Sequence, residues 1–335
     1  LTMGGEPTFV SIDDMDGAEW TVAAIGPTKR KLAGRLLKKL RERFAPFGFL
    51  HYSQGKWYPG ESLPRWALAC YWRGDGVPLW QDPRWIADDE TPQEIGPEQA
   101  RSFAQELTRR LGVGADHLVP GYEDVYYYLW KERTLPVNVD PLQCDLKDDE
   151  ERRRLAQLLE RGLNEVTGYA LPLRWDHAGG EWASGPWVLR REHLYLIPGD
   201  SPMGYRLPLT ALPQVGETDR EIPHPQSLFE FRSALGDTHG EVMRRYSEFL
   251  RGRGGVVGEA RQEQPAGDAG QAIHTALCVE PRDGHLYVFM PPLARLEQYL
   301  DLLACVEQTA AHLEIPVLVE GYDPPGDWRL RKLAV

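Results

Sequence analysis

Hydrophobic residues recur at helical spacing in several segments of the chain. In the first of these, apolar side chains return every four residues from Leu32 to Phe44, with Leu37 beside them, which predicts a stripe that packs against a core. Pro27 suits the first turn of this helix, and Gly112 suits the end of the second. We predict helices over residues 27–44, 97–111, 148–166, 227–250 with a break near 236, and 291–313.

Runs rich in aromatic and β-branched residues predict short strands between these helices. The stretch from Pro281 to Gly284 separates two such runs and predicts a hairpin, with Gly284 where a left-handed backbone is needed. Because strands, helices and hairpins are interspersed, we predict an α+β fold with a mainly antiparallel sheet and interspersed helices. The predicted strands cover residues 8–12, 66–72, 125–130, 169–175, 187–197, 273–280, 284–290 and 317–319.

The chain divides into three regions by composition. Residues 1–251 form an aromatic-rich α+β region. Residues 252–271 hold six glycines and Pro265, a composition typical of a flexible linker. Residues 272–335 form a hairpin, a helix and a strand, and we expect this segment to continue beyond the chain end.

The net charge of −12, from 38 basic and 50 acidic residues in 335, argues against a chain that coats nucleic acid or an anionic membrane. No apolar run approaches the ~18 residues of a membrane span. The N-terminus carries no signal-peptide pattern, and the four cysteines lack the spacing of metal ligands, so we expect a cytoplasmic protein with reduced thiols. We predict neither nucleic acid nor membrane as a partner.

The common catalytic signatures are absent. The sequence has no Walker loop, Rossmann fingerprint, nucleophile elbow or HExxH pair. Less standard candidates remain, and each also fits an ordinary structural role. Glu6 follows a glycine turn where a carboxylate can face a metal or an amine, or simply solvent. Glu280 and Arg282 flank Pro281, and such a pair can hold magnesium and a polyphosphate or form a surface ion pair.

Three loops combine cations with turn residues. Lys56 and Glu61 lie in a loop held by two glycines and a proline, where Lys56 can clamp an anion between aromatic rings or the rings can fill the core. Arg190, Arg191 and Arg206 lie in loops that can bind an anion or only connect strands. For Lys56 we predict contact with an anionic ligand rather than a role in the fold.

Five strings, in order along nearly the whole chain, resemble one family. It is a bacterial family of unknown function assigned as amidoligases and found C-terminal to a transglutaminase-like domain in very large cytoplasmic proteins. That family continues past residue 335, so the chain looks like an excised N-terminal part of it. The strings are LTMGGEPTFVS (1–11), QGKWYPGE (54–61), YYLW (127–130), GDSPMGYR (199–206) and VFMPP (288–292).

The resemblance implies an ATP- and magnesium-dependent carboxylate–amine ligase similar to glutamine synthetase and glutamate–cysteine ligase, with part of their fold. It implies a peptide or amino-acid carboxylate as substrate and the transglutaminase-like domain as a partner. The residues fitted to these tasks are Glu6 and Glu280 for metal, and Lys56, Glu61, Arg190, Arg191, Arg206 and Arg282 for ligand or phosphate.

Two alternatives compete with this function. Residues 27–44 carry eight cations against one acid, so the chain can be a non-catalytic module that docks on, or binds substrate for, the transglutaminase-like partner. The eleven tryptophans also fit a carbohydrate-binding or carbohydrate-active protein, although most are expected in the core.

Overall fold

The computed structural model describes seven ranges of the chain and two single residues. The helix predicted over 148–166 lies almost entirely outside the described residues, and so does nearly all of the stretch 252–271. Five candidate site residues also lie outside them: Glu6, Lys56, Glu61, Arg190 and Arg191. The described residues are 27–55, 66–134, 165–189, 193–199, 201–212, 231–253 and 273–335, with Met15 and Gly162.

The described residues contain five α-helices and eleven strands, joined by short 3-10 turns. The helices are α1 (Pro27–Phe44), α2 (Pro97–Leu111), α3 (Val125–Thr134), α4 (Thr238–Arg253) and α5 (Leu296–Leu313). The strands are β1 (Phe49–Gln54), β2 (Trp66–Arg73), β3 (Val119–Tyr122), β4 (Val166–Pro172), β5 (Arg174–Asp176), β6 (Glu181–Ala183), β7 (Leu194–Tyr195), β8 (Ala276–Arg282), β9 (His285–Met290), β10 (Val317–Gly321) and β11 (Leu330–Ala334).

Nine of these strands form one sheet in the order β11-β2-β1-β10-β9-β8-β4-β3-β7, and β5 and β6 form a separate hairpin. The pairs β1/β10, β10/β9 and β3/β7 are parallel, and the other neighbours are antiparallel. The predicted α+β fold with a mainly antiparallel sheet is therefore confirmed. Strands from both sides of residues 252–271 lie side by side in this sheet.

Helices α2, α4 and α5 cover one face of the sheet, which we call the helix-covered face. Apolar side chains from alternate positions of the central strands point into it, including Val279, Val288 and Val319. Leu303 of α5 lies in the same cluster and is fully buried. This is the largest apolar cluster among the described residues, and its burial supplies the main hydrophobic contribution to the fold.

Helix α1 lies on the opposite face, which we call the open face, at its β1–β2 end. The helix has the predicted bounds, but its packing face is wrong in the prediction. Leu37 is buried against β2, whereas Leu32, Leu36 and Phe44 are exposed. Lys38 pairs with Asp88 and Asp89, and Arg35 pairs with Glu90, so charged contacts as well as Leu37 join this helix to the rest of the protein.

Residues 125–130, predicted as a strand, form the start of helix α3. The side chain of Asp124 accepts hydrogen bonds from the backbone N–H groups of Tyr126 and Tyr127. The Asp124 carbonyl accepts the first helical bond from Tyr128. An aspartate at this position satisfies the free N–H groups of a first helical turn, and it outweighs the strand preference of the tyrosines.

The hairpin between β8 and β9 is confirmed. Asp283 and Gly284 form its two-residue turn, both with a left-handed backbone, at φ 51° and 76°. This is the turn that matches the twist of paired strands. Pro281 and Arg282 belong to β8, so this strand ends two residues later than predicted. No helix in the described ranges has the length and apolar character that crossing a membrane requires.

Candidate functional site

Charged side chains gather at the centre of the open face. Because strand residues alternate between faces, Glu280 and Arg282 of β8 point the same way. Tyr287 of β9 lies opposite Glu280, and Glu320 of β10 lies opposite Phe289, so all of them share the open face. We call Glu280, Arg282 and Glu320 the central cluster.

Arg282 links the two carboxylates. Its Nη1 lies 2.7 Å from Oε2 of Glu280, and its Nη2 lies 2.6 Å from Oε2 of Glu320. Its guanidinium carbon also stacks 3.8 Å from the ring centroid of Tyr287. Paired and stacked contacts of this kind fix the plane of a guanidinium, so Arg282 is held with both Nη1 and Nη2 hydrogen-bonded.

The central cluster is largely removed from water. Glu280 is 5% exposed and Glu320 is 1% exposed, while a quarter of the Arg282 side chain reaches the surface. Burial raises the pKa of the Glu320 carboxyl, and the positive charge of Arg282 opposes that rise. The pKa of Arg282 is raised because the two carboxylates outweigh the cost of its own burial. Within the cluster, two acids thus face one arginine.

A second arginine approaches from helix α1. The guanidinium of Arg30 lies 4.8 Å from the ring centroid of Tyr52 on β1, and Tyr287 lies near enough to help raise the pKa of Arg30 against the cost of its burial. The charge of Arg30 opposes the rise in pKa that burial gives Glu320. In the sequence, Arg30 is only one of the eight cations of residues 27–44, and the strand predicted over 317–319 stops one residue before Glu320. Both were missed because the contacts that reveal them join strands and helices distant in sequence.

A short turn, Ser201–Arg206, which we call the Met203 turn, covers the Glu280 end of the cluster. The backbone N–H of Met203 donates to Oε2 of Glu280 at 3.1 Å. Arg206, at the end of this turn, is 3% exposed. Its Nη2 donates to Glu123, and its Nε donates to the carbonyl of Ile197 at 2.7 Å.

The structure thus brings together two of the eight candidate residues, Glu280 and Arg282, and places a third, Arg206, in the adjoining turn. The other five lie outside the described ranges, and their roles stay predictions. The closeness of Glu280 and Arg282 could be predicted, because side chains two residues apart on one strand share a face.

The donors at the cluster fit magnesium bound together with a phosphate. Within the described ranges no three or more His, Cys, Asp or Glu side chains converge as a metal site. Magnesium, however, is usually held by one or two carboxylates, waters and substrate phosphates rather than by an all-protein cage. Glu280 and Glu320 are two carboxylates of this kind, and Arg282 and Arg30 are cations of the kind that bind phosphate.

A surface cavity of about 280 Å³ lies away from the cluster, between the end of β2 and the start of α4. Its charged groups pair with one another or with neighbours. Arg73 pairs with Asp75, and His239 donates to or accepts from Glu307 at 2.6 Å. The chemistry on the open face therefore makes the central cluster the stronger candidate.

No curated protein and no solved structure matches this chain. One family does: the sequence model of the family described as "Putative amidoligase enzyme (DUF2126)" matches residues 1–335. The match covers the whole chain, including the strands and the turn that build the central cluster. By its sequence, the chain belongs to this amidoligase family.

Proposed function

We propose that the chain takes part in ATP- and magnesium-dependent ligation of a peptide or amino-acid carboxylate to an amine, with the central cluster as the phosphate and metal site. The observation that carries the proposal is the pair of buried carboxylates, Glu280 on β8 and Glu320 on β10, joined by one arginine across the intervening strand β9. Buried ions cost free energy, and natural proteins retain such groups most often where they are used.

In this chemistry ATP phosphorylates the carboxylate, and the amine then displaces the phosphate. Arg282 and Arg30 are suited to bind phosphate oxygens, since a guanidinium presents two parallel donors to such a group. When Arg282 turns from the carboxylates to a phosphate, Glu280 and Glu320 lose their partner and become available as ligands. Glu280 and Glu320 would hold a magnesium ion there, and such an ion would neutralise phosphate charge during transfer.

Tyrosines and the Met203 turn shield the cluster. Tyr52, Tyr287 and Tyr205 surround it, and the ring of Tyr205 packs edge-on against Phe289 with centroids 4.7 Å apart. Such a wall limits water, which would otherwise hydrolyse an acyl phosphate before the amine attacks. The chain's own contribution is thus to bind, to orient and to exclude water.

Titration calorimetry of Mg·ATP into the wild-type chain tests the proposal. We expect binding that Glu320→Gln weakens at least tenfold, because the amide removes one of two anionic ligands. The matched control is Glu106→Gln, since Glu106 is 4% exposed and also pairs with an arginine, but on helix α2. No Mg·ATP binding by the wild type, or equal binding by Glu320→Gln, would contradict the proposal.

A second candidate function rests on helix α1. Leu32, Leu36 and Phe44 are 42%, 47% and 59% exposed, and Lys39 and Arg43 lie beside them. An apolar ridge with basic neighbours suits docking of an acidic partner surface. We propose that this ridge contacts the transglutaminase-like domain that the family resemblance implies.

Co-sedimentation with the separately expressed transglutaminase-like region tests the docking function. We expect association that weakens from 50 to 500 mM salt and is lost in Leu32→Ser/Leu36→Ser, because salt screens exposed charges and serine removes the apolar contact. The double variant should keep its melting temperature, since both leucines are exposed. Association that ignores both salt and the double variant would reject this surface.

A further inference from the structure

The Met203 turn, Ser201–Arg206, is fixed to the rest of the molecule by Arg206. One edge of the guanidinium donates to Glu123, which follows strand β3, and Nε donates to the carbonyl of Ile197 ahead of the turn. Thr167 of β4 also donates to Glu123, at 3.4 Å. Arg206 therefore ties Ile197 and the end of the turn to Glu123, and Thr167 links Glu123 to strand β4.

The turn also packs tightly on the sheet. A Cβ atom on Gly168 of β4 would lie 2.8 Å from the sulfur of Met203, and one on Gly204 would lie 2.1 Å from the ring of Phe289. Contacts this close leave no room for a side chain larger than hydrogen. This tight packing fixes the position of the turn on the open face. In that position the Met203 N–H faces Glu280.

We propose that Arg206 is a positioning residue for Glu280, acting through the Met203 turn. Arg206 holds the turn, and the turn donates one hydrogen bond to Oε2 of Glu280, the same oxygen that Arg282 contacts. When Arg282 leaves for a phosphate, the Met203 N–H keeps Glu280 aimed at the ligand. Partners that orient a metal-binding side chain from behind are a general feature of such sites.

The sequence makes this hydrogen bond directly observable. The chain has five methionines, so selective ¹⁵N-methionine labelling gives at most five amide signals. The Met203 signal is the one that moves in Glu280→Gln, because the amide no longer faces a carboxylate. This readout reports on the hydrogen bond and does not depend on any ligase activity.

We expect Arg206→Ala to move the Met203 signal toward its position in Glu280→Gln. Glu123→Gln keeps the shape and one acceptor oxygen of the partner but removes its charge, so we expect a smaller shift in the same direction. The matched control is Arg73→Ala, because Arg73 is also buried, at 6% exposed, and also pairs with a carboxylate, that of Asp75, but lies on the helix-covered face. The control should leave the Met203 signal unchanged.

A second readout rests on the proposed function. Loss of an orienting partner typically weakens metal binding by about 10- to 100-fold, so Arg206→Ala should weaken Mg·ATP by that factor while Arg73→Ala does not. An unmoved Met203 signal in folded Arg206→Ala, or in Glu123→Gln if the alanine variant does not fold, overturns the positioning role. A wild-type chain that binds no Mg·ATP but shows the expected shifts overturns the proposed function alone.

Discussion

The two faces of strands β8, β9 and β10 are built from neighbouring residues of the same strands but differ in chemistry. On the helix-covered face, Val279 and Val288 pair across the strands and are fully buried. One residue further along, on the open face, Glu280 pairs with Tyr287 and is nearly as buried. Apolar burial stabilises a fold at about 25 cal/mol per Å², whereas a buried charge costs free energy unless it is paired.

The difference indicates where the molecule gives up stability. If the fold alone decided the residues, valines and leucines on both faces would serve it better. Natural proteins keep destabilising groups mainly where activity needs them. The comparison therefore predicts that substitutions on the helix-covered face change stability, while neutral substitutions in the central cluster of the open face change ligand binding.

The largest loss of stability is expected on the helix-covered face. Leu303→Ala should lower the free energy of unfolding by about 4 kcal/mol, because Leu303 is fully buried in the main cluster and its removal leaves a cavity. Urea unfolding at pH 7 measures the change. Phe44→Ala, at an exposed position of α1, is the control and should stay within about 0.5 kcal/mol of wild type. A loss below about 1 kcal/mol at Leu303 would break the comparison.

Removing only the arginine of the central cluster comes next. Arg282→Ala should cost about 3 kcal/mol at pH 7, because it leaves two buried carboxylates without their cation. The loss should shrink as the pH falls, since Glu320, whose pKa burial already raises, takes up a proton and no longer needs a counter-charge. Arg84→Ala, at an exposed ion pair, is the control. A cost that does not depend on pH would mean that Arg282 acts by packing alone.

The sequence predicts the local parts of this fold well. Helix α2 runs over the expected residues and ends at Gly112, which has the left-handed backbone that stops a helix there. The strand predicted over 125–130 fails because one cap, Asp124, outweighs the composition of six residues. The buried face of α1 could not be read from its spacing alone, since the helix is held by non-local contacts such as those of Lys38 with Asp88 and Asp89, about fifty residues away.

The same limit applies to the site. Glu280 and Arg282 could be paired in advance because their closeness follows from one strand. Glu320 and Arg30 could not, since the first reaches the cluster through the pairing of β10 with β9 and the second through the packing of α1. Non-local pairing of strands leaves no periodic signal in a single sequence.

The helix-covered face also predicts how the stability of the fold depends on pH. His51 of β1 is buried there, and burial lowers its pKa to about 4. In the unfolded chain this histidine binds a proton near pH 6.5, whereas in the folded chain it stays neutral down to about pH 4. The free energy of unfolding therefore decreases as the pH falls from about 6.5 to 4, by up to about 3 kcal/mol.

Unfolding free energies measured across that range test the assignment. His51→Gln should flatten the loss, and the exposed His312→Gln should leave it unchanged. A slope that persists in His51→Gln would assign the acid sensitivity to other groups.

The central claim is that the charges of the open face serve ligand binding rather than the fold. The most direct measurement is the unfolding free energy of a neutral variant, Glu280→Gln/Arg282→Met/Glu320→Gln, at pH 7 with and without Mg·ATP. We expect a stability equal to or above that of wild type, because replacing a whole buried ion cluster removes its desolvation cost, together with no stabilisation by Mg·ATP. A variant several kcal/mol less stable than wild type, or one still stabilised by Mg·ATP, would contradict the claim.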